Sequence, residues 1–289
     1  MSPAGPGIQE EIVRIEAGMW AVVRGASSGS GGEGARQRAR RGCSLVLASR
    51  DETSLQALAD ELRGASPGAP AAAAGNAHPD RVTCVAGDLS ESAGVARLRE
   101  HTEALGIVPD LLINNAGFGT WGRFHRLDPD REAAMLRLNI ETLVALSRLY
   151  LPGMLEKRRG SIVQVASTAG FLPLPYMATY AATKAFVISF GESLWEECRG
   201  TGVEVMTLCP GSTRTDFQRR AGVPPVGPDF RFASAESVVR AGLRGLERGK
   251  RVVVPGLLNR LMVAGQSVLP RRWGLAVAAR LLDPERQAG

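Results

Sequence analysis

Short apolar runs of strand length alternate along this chain with longer segments whose apolar residues recur at helical spacing. The runs are Met19–Val23, Ser44–Ala48, Arg81–Ala86, Leu111–Asn114, Ser161–Val165, Val203–Leu208 and Arg251–Val254. Near-continuous apolar strands are buried on both faces, and their alternation with helices predicts an α/β fold. The expected architecture is a single Rossmann-type, doubly wound parallel sheet of about seven strands, with helices on both faces. Residues 19–254 form the domain, after an N-terminal extension over 1–18 and before a C-terminal helical extension over 255–289. Two segments interrupt the pattern. Gly64 to Pro79, rich in Ala, Gly and Pro, predicts a helix end and a surface loop; about 211–232, with Pro224, Pro225, Pro228 and three phenylalanines, predicts a lid.

Composition narrows the function classes. A chain of 289 residues with 44% hydrophobic content can bury one sizeable core. Its 35 Lys and Arg against 29 Asp and Glu give a formal charge of +6, but the charge is dispersed and no nucleic-acid partner is expected. Cys43, Cys84, Cys198 and Cys209 form no C-x-x-C pair and no cluster with histidine, which predicts neither a metal site nor a disulfide framework and suits a reducing, cytoplasmic setting. Cys209 reads as a small core residue, and His78, His101 and His125 are scattered and given no role. The first residues lack the basic and apolar regions of a signal peptide, and no apolar run reaches transmembrane length.

Candidate chemistry begins directly after the first strand. Gly25, Ser27, Ser28, Gly29 and Gly31 form a tight glycine-rich turn opening a helix, whose N-terminal amides can face a pyrophosphate. The second strand ends on Ser49 and Arg50, where an acidic residue would hold the ribose 2′-hydroxyl of NAD. A hydroxyl beside a guanidinium suits a 2′-phosphate, so NADP(H) is the expected cofactor. A solvated strand-end charge is the alternative for Arg50, and Asp51 stands close enough in sequence to neutralise it. Tyr180 and Lys184, four positions apart, share one face of a helix. A neighbouring cation favours tyrosinate, predicting a phenol pKa lowered from roughly 10 toward the range of an acid/base catalyst. Ser167 follows the fifth apolar run, where its hydroxyl can meet a substrate oxygen.

Taken with Asp88-Leu89 after the third strand, Asn115-Ala116-Gly117 after the fourth, Asn139 in a helix, and Pro210-Gly211, Thr213 and Thr215 after the sixth, this order resembles the short-chain dehydrogenase/reductase family from about Met19 to Thr215. The resemblance implies an oxidoreductase with Asn139, Ser167, Tyr180 and Lys184 as catalytic set, and Tyr180 as general acid or base. It implies that Lys184 holds the nicotinamide ribose, Ser167 orients the carbonyl and Asn139 helps hold a proton-relaying water. Asp88 and Leu89 would meet the adenine, Asn115, Ala116 and Gly117 would pack along the cofactor, and Pro210, Gly211, Thr213 and Thr215 would approach the carboxamide and phosphates. Asp88 alone reads equally as a loop cap, and Asn115 as a tie between strands. A homodimer or homotetramer is the assembly implied.

Phe118, Trp121, Phe171, Met177 and Phe217, with Phe124, Leu172 and Leu174, fall in the segments that would line the substrate site, predicting an apolar ketone or alcohol. The tail from Pro255 mixes apolar residues with arginines; packing on the protein's own core is the default expectation, with a cover over the substrate pocket, a subunit interface or a membrane surface as alternatives. A non-catalytic cofactor-sensing or scaffold protein, or a membrane-surface lipid-modifying enzyme, is the rival function. Three residues depart from the family pattern: Arg24 stands where threonine is usual, Ser30 where a branched aliphatic is usual, and Arg38 on the sheet-facing stripe with Ala35, Ala39 and Gly42. Because a buried unpaired guanidinium is costly, the helix carrying Gly32 and Gly34 is expected either to be shifted so that Arg38 reaches solvent or to be marginally stable, weakening pyrophosphate binding. Arg24 would then add positive charge near the phosphates or obstruct the turn.

Overall fold

The computed structural model describes residues 17–27, 29–64, 81–223, 232–268 and 270–287. The strands are β1 (Trp20–Arg24), β2 (Ser44–Ser49), β3 (Val82–Ala86), β4 (Leu111–Asn114), β5 (Gly160–Val165), β6 (Val203–Leu208) and β7 (Val252–Val253). They form one parallel sheet in the order β3-β2-β1-β4-β5-β6-β7. Each coincides with an apolar run expected above, displaced by at most a residue or two. The helices are α1 (Gly29–Ala39), α2 (Glu52–Gly64), α3 (Ser92–Ala104), α4 (Pro129–Leu136), α5 (Thr142–Glu156), α6 (Ala178–Glu197), α7 (Phe217–Ala221), α8 (Ala235–Leu246), α9 (Leu257–Val268), α10 (Arg271–Leu282) and α11 (Pro284–Gln287).

The period-two alternation of side chains divides each strand between two cores. Val23, Leu45, Leu47 and Leu111 pack with Ala35 of α1, Leu55 and Leu58 of α2 and Val238 of α8. Val22, Val46, Leu112 and Ile162 pack on the other face with Leu98 of α3, Leu146 and Tyr150 of α5 and Leu194 of α6. The winding reverses between β1 and β4, so the loops leaving their C-terminal ends diverge and open a crevice there. Of the expected lid, residues 211–223 are described and include α7; Pro224, Pro225 and Pro228 lie outside the described residues, as do Ser28, most of the Gly64–Pro79 loop and residues 1–16.

Helix α1 keeps the register that its apolar stripe predicts, and the expected shift of Arg38 to solvent does not occur. Arg38 is 1% exposed. Its Nε and both terminal nitrogens lack a hydrogen-bond partner, while its neighbour Arg41 takes the carboxylate of Glu247. Burial lowers the Arg38 pKa to about 10, which still leaves it charged at neutral pH. Packing of Ala35 and Gly34 beneath the sheet holds the register, and the cost falls on the guanidinium. Gly34 itself has room: a Cβ there would meet Ile113 Cδ1 at 3.6 Å, an ordinary contact.

Both features predict gains in stability. Arg38→Leu is expected to remove an unsatisfied buried charge worth about 1–3 kcal/mol, and Gly34→Ala to add about 0.5–1 kcal/mol of helix propensity. Thermal melts of the single and double variants should show Tm rising by several degrees; a fall for Arg38→Leu would mean that the guanidinium is paired in solution.

Candidate active site

The crevice depends on two places where the backbone approaches too closely for any side chain. Gly25 has φ +75°, and a Cβ there would lie 2.7 Å from Ala116 Cα. A Cβ on Gly31 would lie 2.1 Å from the Gly25 carbonyl oxygen and 2.6 Å from Asn115 Nδ2. Asn115 ties the two loops together, donating from Nδ2 to the Gly25 carbonyl at 3.4 Å and accepting from Ser30 Oγ at 2.8 Å. Ser30, where an aliphatic residue is usual, therefore has a polar partner. The N-terminus of α1, at Gly29 and Ser30, opens into the crevice, which suits an anionic group.

At the end of β2, Ser49 donates to Ser27 Oγ at 2.7 Å, putting two hydroxyls beside the glycine turn. Asp51 does not neutralise Arg50. It caps α2 instead, accepting from the Ser54 amide at 3.0 Å and the Ser54 hydroxyl at 2.6 Å. Arg50 lies 3.5 Å from Asp88, with 58% of its own side chain exposed, a loose pair of the kind that contributes little. Asp88 also caps its loop through the Ser90 amide and hydroxyl. Burial works against its charge, yet the Ser90 hydrogen bonds and Arg50 hold its carboxyl below the ordinary range.

Tyr180 and Lys184 lie one turn apart on α6, with Lys184 Nζ 5.8 Å from the Tyr180 ring centre. Ser167, just past β5, donates to the Pro210 carbonyl at 3.4 Å and accepts from the Ala169 amide at 3.1 Å, and its hydroxyl lies near enough to the phenol to act on its pKa. Lys184 donates to the Val165 carbonyl at 2.8 Å. Asn139 is buried behind the crevice: its Nδ2 donates to the Phe118 carbonyl at 3.0 Å and to Thr183 Oγ1 at 3.1 Å, and its Oδ1 accepts from the Phe118 amide at 3.2 Å. It thus ties the loop after β4 to the turn of α6 between Tyr180 and Lys184. A widened π turn over Arg137–Glu141, joining α4 to α5 and closed by the Thr142 amide on the Arg137 carbonyl, positions it.

The electrostatics differ from the expectation that Lys184 lowers the Tyr180 pKa. Burial raises Tyr180 to about 12, with the Ser167 hydroxyl acting the other way. Burial, and then the charge of Arg24, lower Lys184 to about 7. Desolvation dominates at both groups. Arg24, 1% exposed, neither enters the phosphate turn nor obstructs it. Its Nη1 donates to the Leu138 carbonyl at 3.1 Å and its Nη2 to the Ala116 carbonyl, bridging the loop after β4 to the π turn.

The crevice has a volume of about 1110 Å³. Gly25, Ser27, Gly29, Ser49, Arg50 and Leu89 line one end; Asn115, Ala116, Gly117, Pro210, Gly211, Thr213 and Thr215 line the middle, with Ser167, Tyr180 and Lys184. Gly31, Asp88 and Asn139 stand behind this surface and act through the groups they position. The far end is mainly apolar, with Phe118, Leu172, Leu174, Met177 and Phe217, whose ring lies 5.1 Å from that of Tyr180; Arg131, over the Phe118 ring at 5.9 Å, and Asp216, Gln218 and Arg220 also line the crevice. Trp121 and Phe171 do not line it. Trp121 packs beside Met177 and donates to the Leu282 carbonyl at 2.9 Å, and Phe171 packs against the core of Val187 and Ile188. Phe124 is 68% exposed. Val223, from the segment expected to form a lid, and Met262 and Leu282, from the tail, complete the wall; a tail covering the pocket was one of the sequence's alternatives, but the individual residues were not named, since no local signal picks out which tail positions return to this cleft.

A short chain dehydrogenase model matches residues 19–223. The chain belongs to the short-chain dehydrogenase family. Its sheet and crevice are those of this family's nucleotide-binding fold, and the oxidoreductase class follows. It is 30% identical over 244 residues to a very-long-chain 3-oxoacyl-CoA reductase of Anas platyrhynchos, covering 83% of this chain and 69% of that protein. Among solved structures, a short-chain dehydrogenase from Sphingobium yanoikuyae in complex with NADPH superposes with TM-score 0.74 and 31% identity, covering 86% of this chain and 94% of that one. A short-chain dehydrogenase/reductase from Burkholderia phymatum in complex with NAD gives 0.73 and 28%, covering 87% and 93%. Among the described residues no helix is long and apolar enough to cross a membrane.

The lowered Lys184 pKa makes stability depend on pH. Between about 7 and the ordinary lysine value of 10.5 the unfolded chain holds a proton that the native chain has released, so the native state gains stability as pH rises through that window. Urea midpoints measured from pH 7 to 9 should rise. Lys184→Met should flatten the rise, and Arg24→Met, by removing a neighbouring cation, should displace it to higher pH. An unchanged slope in Lys184→Met would assign the effect elsewhere.

Proposed function

We propose that this chain is an NADP(H)-dependent oxidoreductase interconverting an apolar ketone and its secondary alcohol, with Tyr180 as general acid and base. One observation carries the reading: the hydroxyls of Ser167 and Tyr180 meet in a single crevice, between a glycine turn at one end and an apolar wall at the other. The glycine contacts leave the backbone bare where a pyrophosphate must approach, so the residues present fit a nicotinamide dinucleotide.

Bound there, the nicotinamide supplies or accepts the hydride. Ser167 holds the substrate carbonyl oxygen, and Tyr180 delivers its proton to that oxygen. A phenol raised to about 12 keeps its proton at neutral pH, the form needed of a general acid. Lys184 stands behind the phenol, and Asn139 fixes the loop that bounds the reacting centre. Phe118, Met177 and Phe217 exclude water from the substrate's apolar body. An acyl chain of the kind named by the 3-oxoacyl-CoA reductase relative would find a matching wall.

NADP(H) is preferred over NAD because Ser27, Ser49 and Arg50 offer hydroxyls and a cation at the end of β2, and Asp51 is turned away onto α2. Arg50 can leave its loose pair with Asp88 for a 2′-phosphate, a charge-assisted exchange that an exposed side chain makes at small cost.

Titration should show NADPH binding about tenfold or more tightly than NADH, with Arg50→Ala erasing most of the difference while leaving NADH affinity nearly unchanged. Equal affinities in the wild type would overturn the cofactor assignment. On a substrate identified from a ketone and alcohol panel, Tyr180→Phe should lower kcat by roughly 10²–10⁴-fold with cofactor affinity nearly intact. Retained turnover would remove Tyr180 as the acid and favour a cofactor-binding scaffold.

A further inference from the structure

We propose that α9 and α10 form a docking surface for an anionic lipid bilayer, lying in its interface beside the mouth of the crevice. The proposal does not rest on which cofactor or carbonyl the crevice takes.

The burial pattern of α10 has two faces. Gly274, Leu275, Ala278 and Leu282 turn inward, while Trp273, Val277 and Leu281, at four-residue spacing, are 57%, 58% and 51% exposed. Arg272 and Arg280 are exposed beside this apolar row, at the same helical spacing. On α9, Leu257, Leu258 and Leu261 are 71%, 63% and 61% exposed. Single exposed apolar residues are ordinary on a protein surface, but a row of three on α10 beside two exposed arginines, with three more on the preceding α9, marks a place of interaction.

Charge decides the occupant. Residues 257–282, which hold α9 and α10, carry four Arg and no Asp or Glu; Asp283 and Glu285, which follow, are paired with Arg286 and Arg123. Arg251 is paired with Glu192, whereas Arg271, Arg272 and Arg280 form no ion pair with a described residue. A second copy docking through the same face about a two-fold axis would set these arginines against one another, with no acidic residue of the segment to separate them. An anionic bilayer accepts both halves of the pattern: Trp, Leu and Val enter the acyl boundary, and arginines meet the headgroups. These helices are too short and too basic to span a bilayer, but they suit one lying flat. Met262 and Leu282 line the crevice, so docking brings its apolar end to the lipid surface.

The full chain should be sedimented with vesicles of phosphatidylglycerol mixed with phosphatidylcholine, and with phosphatidylcholine alone, at low and high salt. Strong binding to the anionic vesicles, weakened by salt, is expected. Two double variants, W273E with V277E and R272E with R280E, alter exposed positions only, and circular dichroism checks that they fold. Each should weaken vesicle binding by about tenfold or more. Trp273 emission should shift to the blue on binding, and the shift should vanish in Trp273→Phe. Absence of binding to anionic vesicles, or equal binding by folded variants, would overturn the proposal. So would a wild-type dimer that either double variant converts to a monomer, which would show that a second copy covers this face.

Discussion

The turn after β1 and the loop after β4 meet where no side chain fits, and the crevice is built around that contact. Gly25 lies against Ala116, and Gly31 lies against the Gly25 carbonyl. Parallel pairing of β1 with β4 brings the two loops together, because the register sets Arg24 beside Asn114 at the strand ends. Asn115 and Ser30 then fasten them. Everything downstream is measured from this junction: the N-terminus of α1 is aimed by it, and Gly117 and Phe118 follow Ala116 toward the π turn and α6. An alanine at Gly31 would have to displace backbone and Asn115 together, opening the junction and not merely crowding it.

Two buried cations sit behind the same junction. Arg24 fills the space between the loop after β4 and the Leu138 carbonyl, and its charge acts on Lys184. Both donate to backbone carbonyls rather than to carboxylates: Arg24 to Leu138 and Ala116, Lys184 to Val165. Carbonyl dipoles compensate burial only in part, which is why both pKa values fall, Arg24 to about 9 and Lys184 to about 7. The phenol moves the opposite way for the same reason, since burial disfavours whichever form is charged. A site built in this way stabilises a neutral Tyr180 and leaves Lys184 close to the pH at which it changes charge, so a new negative group near Lys184 would have a large effect on it.

The strands were legible because burial on both faces leaves apolar runs too short for helices. The order of motifs along them identified the residues that share the crevice, from Gly25 through Ser49 and Ser167 to Lys184. Parity along β1 also contained a usable signal. Arg24 shares its face with Val22, whose core includes Leu138, the residue whose carbonyl Arg24 reaches; the expectation of a phosphate-facing Arg24 neglected that alternation. Other features left no local trace. The π turn has the composition of the α-helix around it, so the displacement that turns Asn139 onto Phe118 depends on packing. Loop aromatics such as Trp121 and Phe171 look alike in sequence whether they face a core or a cleft. Asp51 does not meet Arg50 because a backbone amide one turn into α2 claims it, and Asp88, which caps its loop as one of its two readings had it, takes the loose pair with Arg50 instead.

The two ends of the crevice are held by different amounts of structure, and this bears on how the enzyme could tolerate change. The phosphate end rests on strand ends, close glycine contacts and buried hydrogen bonds, all coupled to the main core. The apolar end is closed partly by Leu282, the last residue of α10, a helix with one buried residue, Ala278. Among the described residues the tail meets the loop after β4 through the Trp121 hydrogen bond to the Leu282 carbonyl, the exposed ion pair of Arg123 with Glu285 of α11, and packing of Leu282 in the cluster that holds Phe118 and Trp121. Local opening is governed by such sparse contacts far more than by global stability. Loss of the Trp121 indole would release the tail wall while leaving the glycine junction intact, so changes at Trp121 should alter which substrates fit without altering how a dinucleotide is held. The two ends of the crevice are therefore structurally separable, with Met262 and Leu282 of the tail closing one part of an apolar end otherwise built from Phe118, Met177 and Phe217.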